Sequence, residues 1–184
     1  MNVWPLSAEE LAGPHHEALL RVFAAALGYS LSSQRVLAQG AVVRRHAERA
    51  GFRAFGAFDT AEKLVGFTYG YTSQPGLWWR EQVAAVLTVH QQQQWLSDAF
   101  ELVELHVHPC FQGRHLGSRL HDSLIREVPN RTALLSVMHR SERARQLYFS
   151  RGWQVLVEDL RFSSDPSTPF SVLGLVLSAV KDLP

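Results

Sequence analysis

One stretch of the chain, from Glu101 to Leu120, combines carboxylates, imidazoles, a thiol and two glycines in an order that could do chemistry. Its sequence, ELVELHVHPCFQGRHLGSRL, predicts a strand, a short turn and the start of a helix. Backbone N–H groups at a helix N-terminus lack intrahelical partners and carry the positive end of the helix dipole. Gly113 and Gly117 would allow a ligand to approach closely. The stretch therefore predicts an anion site that a pyrophosphate would fit.

Three metal-binding side chains alternate along the end of this predicted strand. His106, His108 and Cys110 could face one side, and imidazole and thiolate both suit zinc. Pro109 is expected to end the strand before Cys110, and no second ligand pair follows at zinc spacing. We therefore favour histidines that face solvent or line a cofactor, with no metal, and a cysteine that serves only packing.

The composition fits one domain of ordinary size. The chain has 184 residues, 46% of them hydrophobic, which suits a single core and leaves no room for a second domain. Eighteen Lys and Arg residues against 17 Asp and Glu give a formal net charge of +1, so we expect no nucleic-acid partner. The N-terminus has no signal-peptide pattern, and the longest apolar run, Val172 to Val180, is too short to cross a membrane. With a single cysteine, these features predict a cytoplasmic location.

Hydrophobic periodicity and turn residues predict helices that alternate with strands. The predicted helices are 7–27 with a break at 13–14, then 33–50, 79–95, 114–128 and 141–151. The predicted strands are 52–58, 63–72, 100–107, 132–138, 153–162 and 170–180, and a short strand before the first helix stays open. A strand–helix–strand unit requires a parallel pair. We therefore predict one α/β domain over 1–184, with a central mixed sheet and helices on both faces in three layers.

Two motifs carry a resemblance to a known family. Residues 112–117, QGRHLG, resemble the acyl-CoA-binding pattern of the GCN5-related N-acetyltransferase (GNAT) family, Gln or Arg, any two residues, Gly, any residue, then Gly or Ala; His115 replaces the first Gly. Residues 141–153, SERARQLYFSRGW, resemble the late helix of the family, with Ser141 in place of Asn and Trp153 in place of Phe. The motifs stand in the order of the family, so the chain is identified as a member with the acyl-CoA N-acyltransferase fold.

The resemblance implies that acetyl-CoA is the acyl donor and lies between the strands at about 100–107 and 132–138, within a core of about 98–162. It also implies that the strand backbone near Val107 holds the acyl carbonyl, and that Tyr148 protonates the leaving CoA thiolate. The implied cofactor-binding residues are Leu105, His106, Val107, Gln112, Gly113, Arg114, His115, Leu116, Gly117, Ser118, Ser141, Arg143 and Tyr148.

An amine substrate is mostly protonated in water, so the reaction needs a base. Glu101 is the first candidate, because it shares a predicted strand face with Val103, Leu105 and Val107 and should be partly desolvated at the end of that face. It also stands where some family members keep their base. Glu104, on the opposite face with His106 and His108, is the second candidate.

The acceptor pocket, by the same resemblance, is formed by about 28–33 and 163–169, with a wall from 79–95. Trp78 and Trp79 either cap the core or line this pocket. We predict an N-acetyltransferase that transfers an acetyl group from acetyl-CoA to a small-molecule amine by direct attack in a ternary complex, and a homodimer is left open. The alternative is a non-catalytic acyl-CoA-binding sensor or partner module, which the changes at His115 and Ser141 would favour.

Overall fold

The computed structural model describes residues 1–177, in which seven strands form one mixed sheet in the order β1–β2–β3–β4–β5–β7–β6. The strands are β1 (Asn2–Leu6), β2 (Arg53–Phe58), β3 (Leu64–Ser73), β4 (Ala99–Val107), β5 (Thr132–Met138), β6 (Gln154–Phe162) and β7 (Asp165–Val176). The helices are α1 (Ala8–Ala12), α2 (His16–Leu27), α3 (Gln34–Ala47), α4 (Trp78–Ala84), α5 (Val89–Trp95), α6 (Leu116–Ile125) and α7 (Glu142–Phe149). None of the helices within 1–177 has the length and apolar character that a membrane crossing needs.

The described chain divides into two compact units, the first made of residues 1–71 and 102–126 and the second of residues 72–101 and 127–177. Both units are built from two separate stretches of sequence. The prediction of one domain over 1–184 stays a prediction, while the predicted mixed α/β sheet is confirmed by the parallel β4–β5 pair among antiparallel neighbours.

In the first unit, β1, β2 and β3 pair antiparallel, and helices cover both faces of β2. Ala54 packs into a core cluster formed with α1, α2 and α3, whereas Phe55 and Ala57 pack into a cluster with Leu116 and Leu120 of α6. Alternate residues of a strand point to opposite faces, so the two sets of helices lie on opposite sides of the strand. This is the three-layer arrangement that the sequence predicts.

The start of α1 follows directly from the sequence. Ser7 accepts a hydrogen bond from the Glu10 N–H at 3.1 Å, and the Glu10 carboxylate accepts one from the Ser7 N–H at 2.8 Å. This capping box satisfies two backbone donors that a helix start leaves without partners. The short strand left open before this helix is present as β1.

In the second unit, the first residues of β4 pair in parallel with β5, and β5, β7 and β6 form an antiparallel set. A cluster of buried side chains from α4, α5 and these strands fills the core and includes Trp95, Leu134 and Val172. Trp79 packs against this cluster and donates from its indole N–H to the Ser136 hydroxyl at 3.1 Å. The neighbouring Trp78 side chain stays half-exposed.

Three sequence predictions are wrong in detail. The predicted helix 79–95 is two helices, because Thr88 forms a second capping box with Gln91 and starts α5 afresh. The predicted helix 114–128 is shorter at both ends. The predicted loop 163–169 is mostly strand, because β7 begins at Asp165, opposite Phe162. The end predicted for the last strand, at Val180, lies outside the described residues.

Candidate active site

The turn after β4 is built by local contacts. The strand ends at Val107, as predicted from Pro109, and residues Pro109–Phe111 form a single 3₁₀ turn. The Gln112 side-chain amide donates to the Val107 carbonyl at 3.0 Å, which ties the turn back to the strand end. The peptide N–H of Cys110 donates to Nδ1 of His108 at 3.3 Å, and the Cys110 side chain is exposed.

Two residues of the turn have left-handed backbone conformations. Gly113 has φ of 76° and His115, the N-cap of α6, has φ of 59°. His115 replaces a family glycine but keeps a backbone conformation that glycine adopts most readily. The substitution therefore changes the side chain at this position without closing the turn.

The start of α6 presents backbone donors. The Arg119 N–H donates to the His115 carbonyl at 3.1 Å, and the N–H groups of the residues before it, 116–118, precede the first intrahelical bond. Leu116 is buried against β-strand residues and anchors this helix end, while residues 112–115 are exposed. The exposed Arg114 guanidinium lies 5.4 Å from the centre of the Phe111 ring. The geometry is that of an anion site with a fixed backbone and a nearby cation.

Glu104 and His106, both of β4, form a carboxylate–imidazole pair. Oε2 of Glu104 lies 2.5 Å from Nε2 of His106, and the two side chains are 20% and 14% exposed. The other carboxylate oxygen accepts a hydrogen bond from the Gln39 amide of α3 at 2.9 Å. Both predicted residues therefore share a face and contact each other directly.

The expected common face of β4 is not found. Val103 packs against the cluster with α1, α2 and α3, whereas Leu105 and Val107 pack in the cluster with α6. Thr68 of β3 donates from its hydroxyl to the Glu104 carbonyl at 2.8 Å. This carbonyl therefore bonds to a side chain of the neighbouring strand, where a regular sheet would use a backbone N–H. The simple two-residue alternation therefore does not hold between Val103 and Leu105.

Glu101 lies in the second unit, where it pairs with Leu134 of β5. Its side chain is buried at 3% exposure, so the expectation of a partly desolvated strand end understates its burial. Ala99 and Phe100 precede it in β4 and are also buried.

Tyr148, Ser141 and Arg143 also belong to the second unit. The Tyr148 ring is buried on α7 and makes an edge contact with Trp153 at a centroid distance of 5.6 Å. Ser141 is the N-cap residue of α7, and its hydroxyl makes no capping bond. Arg143 is exposed in the first turn of this helix.

Gln39 and Thr68 were not expected from the sequence. They stand 65 and 36 positions away from Glu104, so no local pattern could connect them to it. The Glu104–His106 contact could have been found from the two-residue spacing along one strand face. In the part of the chain that the structure describes, no three metal-binding side chains group closely enough to hold an ion.

Comparison with known proteins identifies the same family as the two sequence motifs. Residues 29–153, which include both motifs, match the acetyltransferase (GNAT) family. A GCN5-like protein acetyltransferase of Mycobacterium tuberculosis is 33% identical over 124 residues, 62% of this chain, and the match spans only 59% of that relative.

Solved structures share the fold. A GNAT-family structure from Desulfovibrio desulfuricans is similar over 96% of this chain and 99% of its own, with a TM-score of 0.67 at 13% identity. An N-acetyltransferase from Thermoplasma acidophilum in complex with coenzyme A is similar over 96% and 99%, with a TM-score of 0.60 at 15% identity. The family match covers well over half of the 184 residues, and the chain belongs to the GNAT acetyltransferase family.

Proposed function

We propose that this protein transfers an acetyl group from acetyl-CoA to an amine. The observation that carries the proposal is the segment from the end of β4 to the start of α6. Its exposed turn and the N–H groups of residues 116–118 suit the pyrophosphate of CoA, because these donors and the positive helix end favour an anion. A Cβ atom built on Gly113 would meet nothing within 4 Å, so a phosphate has room to approach the backbone.

The β4 backbone over residues 105–107 is assigned to the acetyl carbonyl. A backbone donor there would stabilise the negative charge that develops on the carbonyl oxygen when the amine attacks the thioester. Val107 is 7% exposed, so water competes little for such a bond. Ser141 and Arg143, at the start of α7, are assigned further contacts with the CoA chain.

Tyr148 is assigned the role of general acid. Its phenol O–H would give a proton to the sulfur of CoA as the carbon–sulfur bond breaks. Burial of the ring against Trp153 fixes where the hydroxyl lies, and this is what a proton donor requires.

The acceptor is proposed to be a small-molecule amine. The segment before α3 supports this, because it joins the half-exposed Leu31 with the hydroxyls of Ser30 and Ser32, which lie 2.9 Å apart. Such a surface offers apolar contact and neutral hydrogen bonds. Residues 28–33 carry no charged side chain, and the cation beside them is Arg35, whose guanidinium lies 5.6 Å from the centre of the Tyr29 ring. A reducing cytoplasmic location is part of the proposal and fits the exposed free thiol of Cys110.

A protein lysine is the second candidate acceptor. It is favoured by the relative from Mycobacterium tuberculosis, which is a GCN5-like protein acetyltransferase. The tight β6–β7 connection adds weight, because only residues 163 and 164 separate the two strands and little loop remains to enclose a small ligand.

Thermal unfolding with acetyl-CoA, CoA and ATP tests the donor site. A ligand at ~100 times its Kd adds about 2.7 kcal/mol, which raises Tm by roughly 5–10 °C for a chain of this length. We expect a shift with acetyl-CoA and CoA and little with ATP. No shift with either thioester or thiol at millimolar concentration would overturn the proposal.

Release of free CoA thiol then tests turnover. A panel of small amines is compared with lysine-containing peptides at equal amine concentration, and we expect faster release with the small amines. Faster release with peptides would identify a protein acceptor instead. Binding of CoA without turnover on either panel would identify a sensor module.

A further inference from the structure

We propose that His106 is the base that deprotonates the amine and that Glu104 positions it. This inference rests on the proposed acetyl transfer and goes beyond the two carboxylates that the sequence offers as bases. The carboxylate of Glu104 acts through the imidazole and does not itself receive the proton from the substrate.

The contact between the two side chains fixes the tautomer of the imidazole. A carboxylate can only accept hydrogen bonds, so Nε2 of His106 must carry the hydrogen in the 2.5 Å contact with Glu104. The lone pair is then on Nδ1. Within residues 1–177, that atom makes no hydrogen bond. It also keeps some solvent exposure, since it is not one of the fully buried polar atoms. Nδ1 is therefore a proton acceptor that is not fully buried.

The surroundings hold the imidazole in one orientation. Phe23 of α2 and Phe67 of β3 contact the His106 ring at centroid distances of 5.2 and 5.5 Å. Gln39 of α3 donates to the carboxylate oxygen that the imidazole does not use. Among the described side chains of these elements that contact His106 or its carboxylate partner, Glu104 is the acidic one. The arrangement is a base oriented by a second group that is itself oriented by a third.

The chain position of His106 suits the reaction. It precedes Val107, the residue whose backbone we assign to the acetyl carbonyl, so the proposed base and that backbone are one residue apart on β4. Glu101 has a different environment, since its side chain is 3% exposed and it pairs with Leu134 in the second unit.

The proton balance is complete with the groups named. An ammonium substrate gives one proton to Nδ1 of His106, and the neutral amine attacks the thioester carbon. The carbon–nitrogen bond forms and the carbon–sulfur bond breaks. The attacking nitrogen loses its second proton to solvent, Tyr148 gives its phenol proton to the thiolate and regains one from solvent, and Nδ1 releases its own proton to solvent.

His106→Gln is the decisive variant. A glutamine amide can still donate to Glu104 from the place of Nε2, but it has no lone pair at the place of Nδ1. We expect kcat to fall by about 10²–10³-fold, the range of a lost general base, with CoA affinity and Tm unchanged. In the plot of kcat/KM against pH, the fall on the acidic side should disappear in this variant and persist in Glu101→Gln.

Glu104→Gln tests the positioning role. We expect kcat to fall by about 10-fold with KM nearly unchanged, because the amide no longer enforces a single tautomer. Glu17→Gln is the matched control, since Glu17 is an exposed carboxylate on α2 that belongs to no part of the proposed site. Wild-type activity with an unchanged fall on the acidic side in His106→Gln, or loss of that fall in Glu101→Gln alone, would overturn the inference. Absence of turnover in the wild type would instead overturn the proposed function.

Discussion

Two histidines in the first unit, the buried His46 and the partly exposed His106, have opposite environments. His46 of α3 lies between Tyr69 and Tyr71, with Nδ1 3.3 Å from the Tyr69 hydroxyl. Burial, reinforced by the charges of Arg49 and Arg45, lowers the pKa of His46 to about 3. His106 of β4 instead contacts a carboxylate.

The difference shows how neighbours decide what an imidazole can do. His46 is held neutral among aromatic rings and a hydroxyl, so it contributes packing and one hydrogen bond. His106 has a carboxylate acceptor on one nitrogen and another nitrogen that is not fully buried, so we assign it a proton-transfer role. Neither role can be assigned from residue type alone, and substitutions can test the contrast between them.

The largest expected effect concerns His46 and acid. The folded pKa of about 3 lies below the unfolded value of ~6.5, so the unfolded chain binds a proton that the folded protein does not. The free energy of unfolding is therefore full above pH 6.5 and decreases as the pH falls toward 3. We expect a loss of about 1–2 kcal/mol at pH 5 that His46→Gln removes. Urea unfolding at pH 7 and pH 5 measures it. His90→Gln should leave the pH dependence as in the wild type, and an unchanged dependence in His46→Gln would contradict the contrast.

A smaller effect is expected at Gln39. Its amide donates to Glu104 at 2.9 Å, and Gln39→Leu removes that bond while the contact with His106 stays. Loss of one such hydrogen bond costs about 1 kcal/mol, so kcat should fall roughly fivefold. Steady-state kinetics with CoA-thiol detection measures it. Gln34→Leu, at the exposed start of the same helix, is the matched control. Equal rates in both variants would show that Glu104 does not need the hydrogen bond from Gln39 to orient His106.

The smallest effect is expected at His115, a third histidine, which is exposed. Because its φ is 59°, glycine should fit the backbone better, and we expect His115→Gly to raise stability by about 0–1 kcal/mol. CoA affinity should stay within a factor of three in a thermal-shift titration. A tenfold loss of affinity would show that the imidazole itself contacts a phosphate. Gly113→Ala, at φ of 76°, serves as the opposite change and should destabilise the turn.

Much of the fold could be predicted because its signals are local. The capping box at Ser7, the strand end before Pro109 and the strand Thr132–Met138 are all set by residues close in sequence. The break at Thr88 was missed because an apolar pattern that runs through 79–95 outweighed a capping box inside it. Propensity and periodicity compete in such segments, and the capping bonds decided the outcome.

The candidate site likewise has one part that the local sequence predicts and one part that it does not. The turn at 112–118 was predictable, since one continuous stretch supplies both its backbone donors and its glycine. The surroundings of Glu104 were not, because Gln39 comes from α3 and Thr68 from β3. The burial of Glu101 was underestimated because it depends on strand pairing with β5.

The sequence alone determined the family, the order of most elements and the turn to which we assign anion binding, because contiguous residues fix a helix start and a left-handed backbone position. The tertiary structure alone decided which side chains meet. It placed Gln39, Glu104 and His106 in one chain of contacts and buried His46 among tyrosines. Proton chemistry depends on distances of a few ångströms between groups far apart in sequence, and only packing sets those distances.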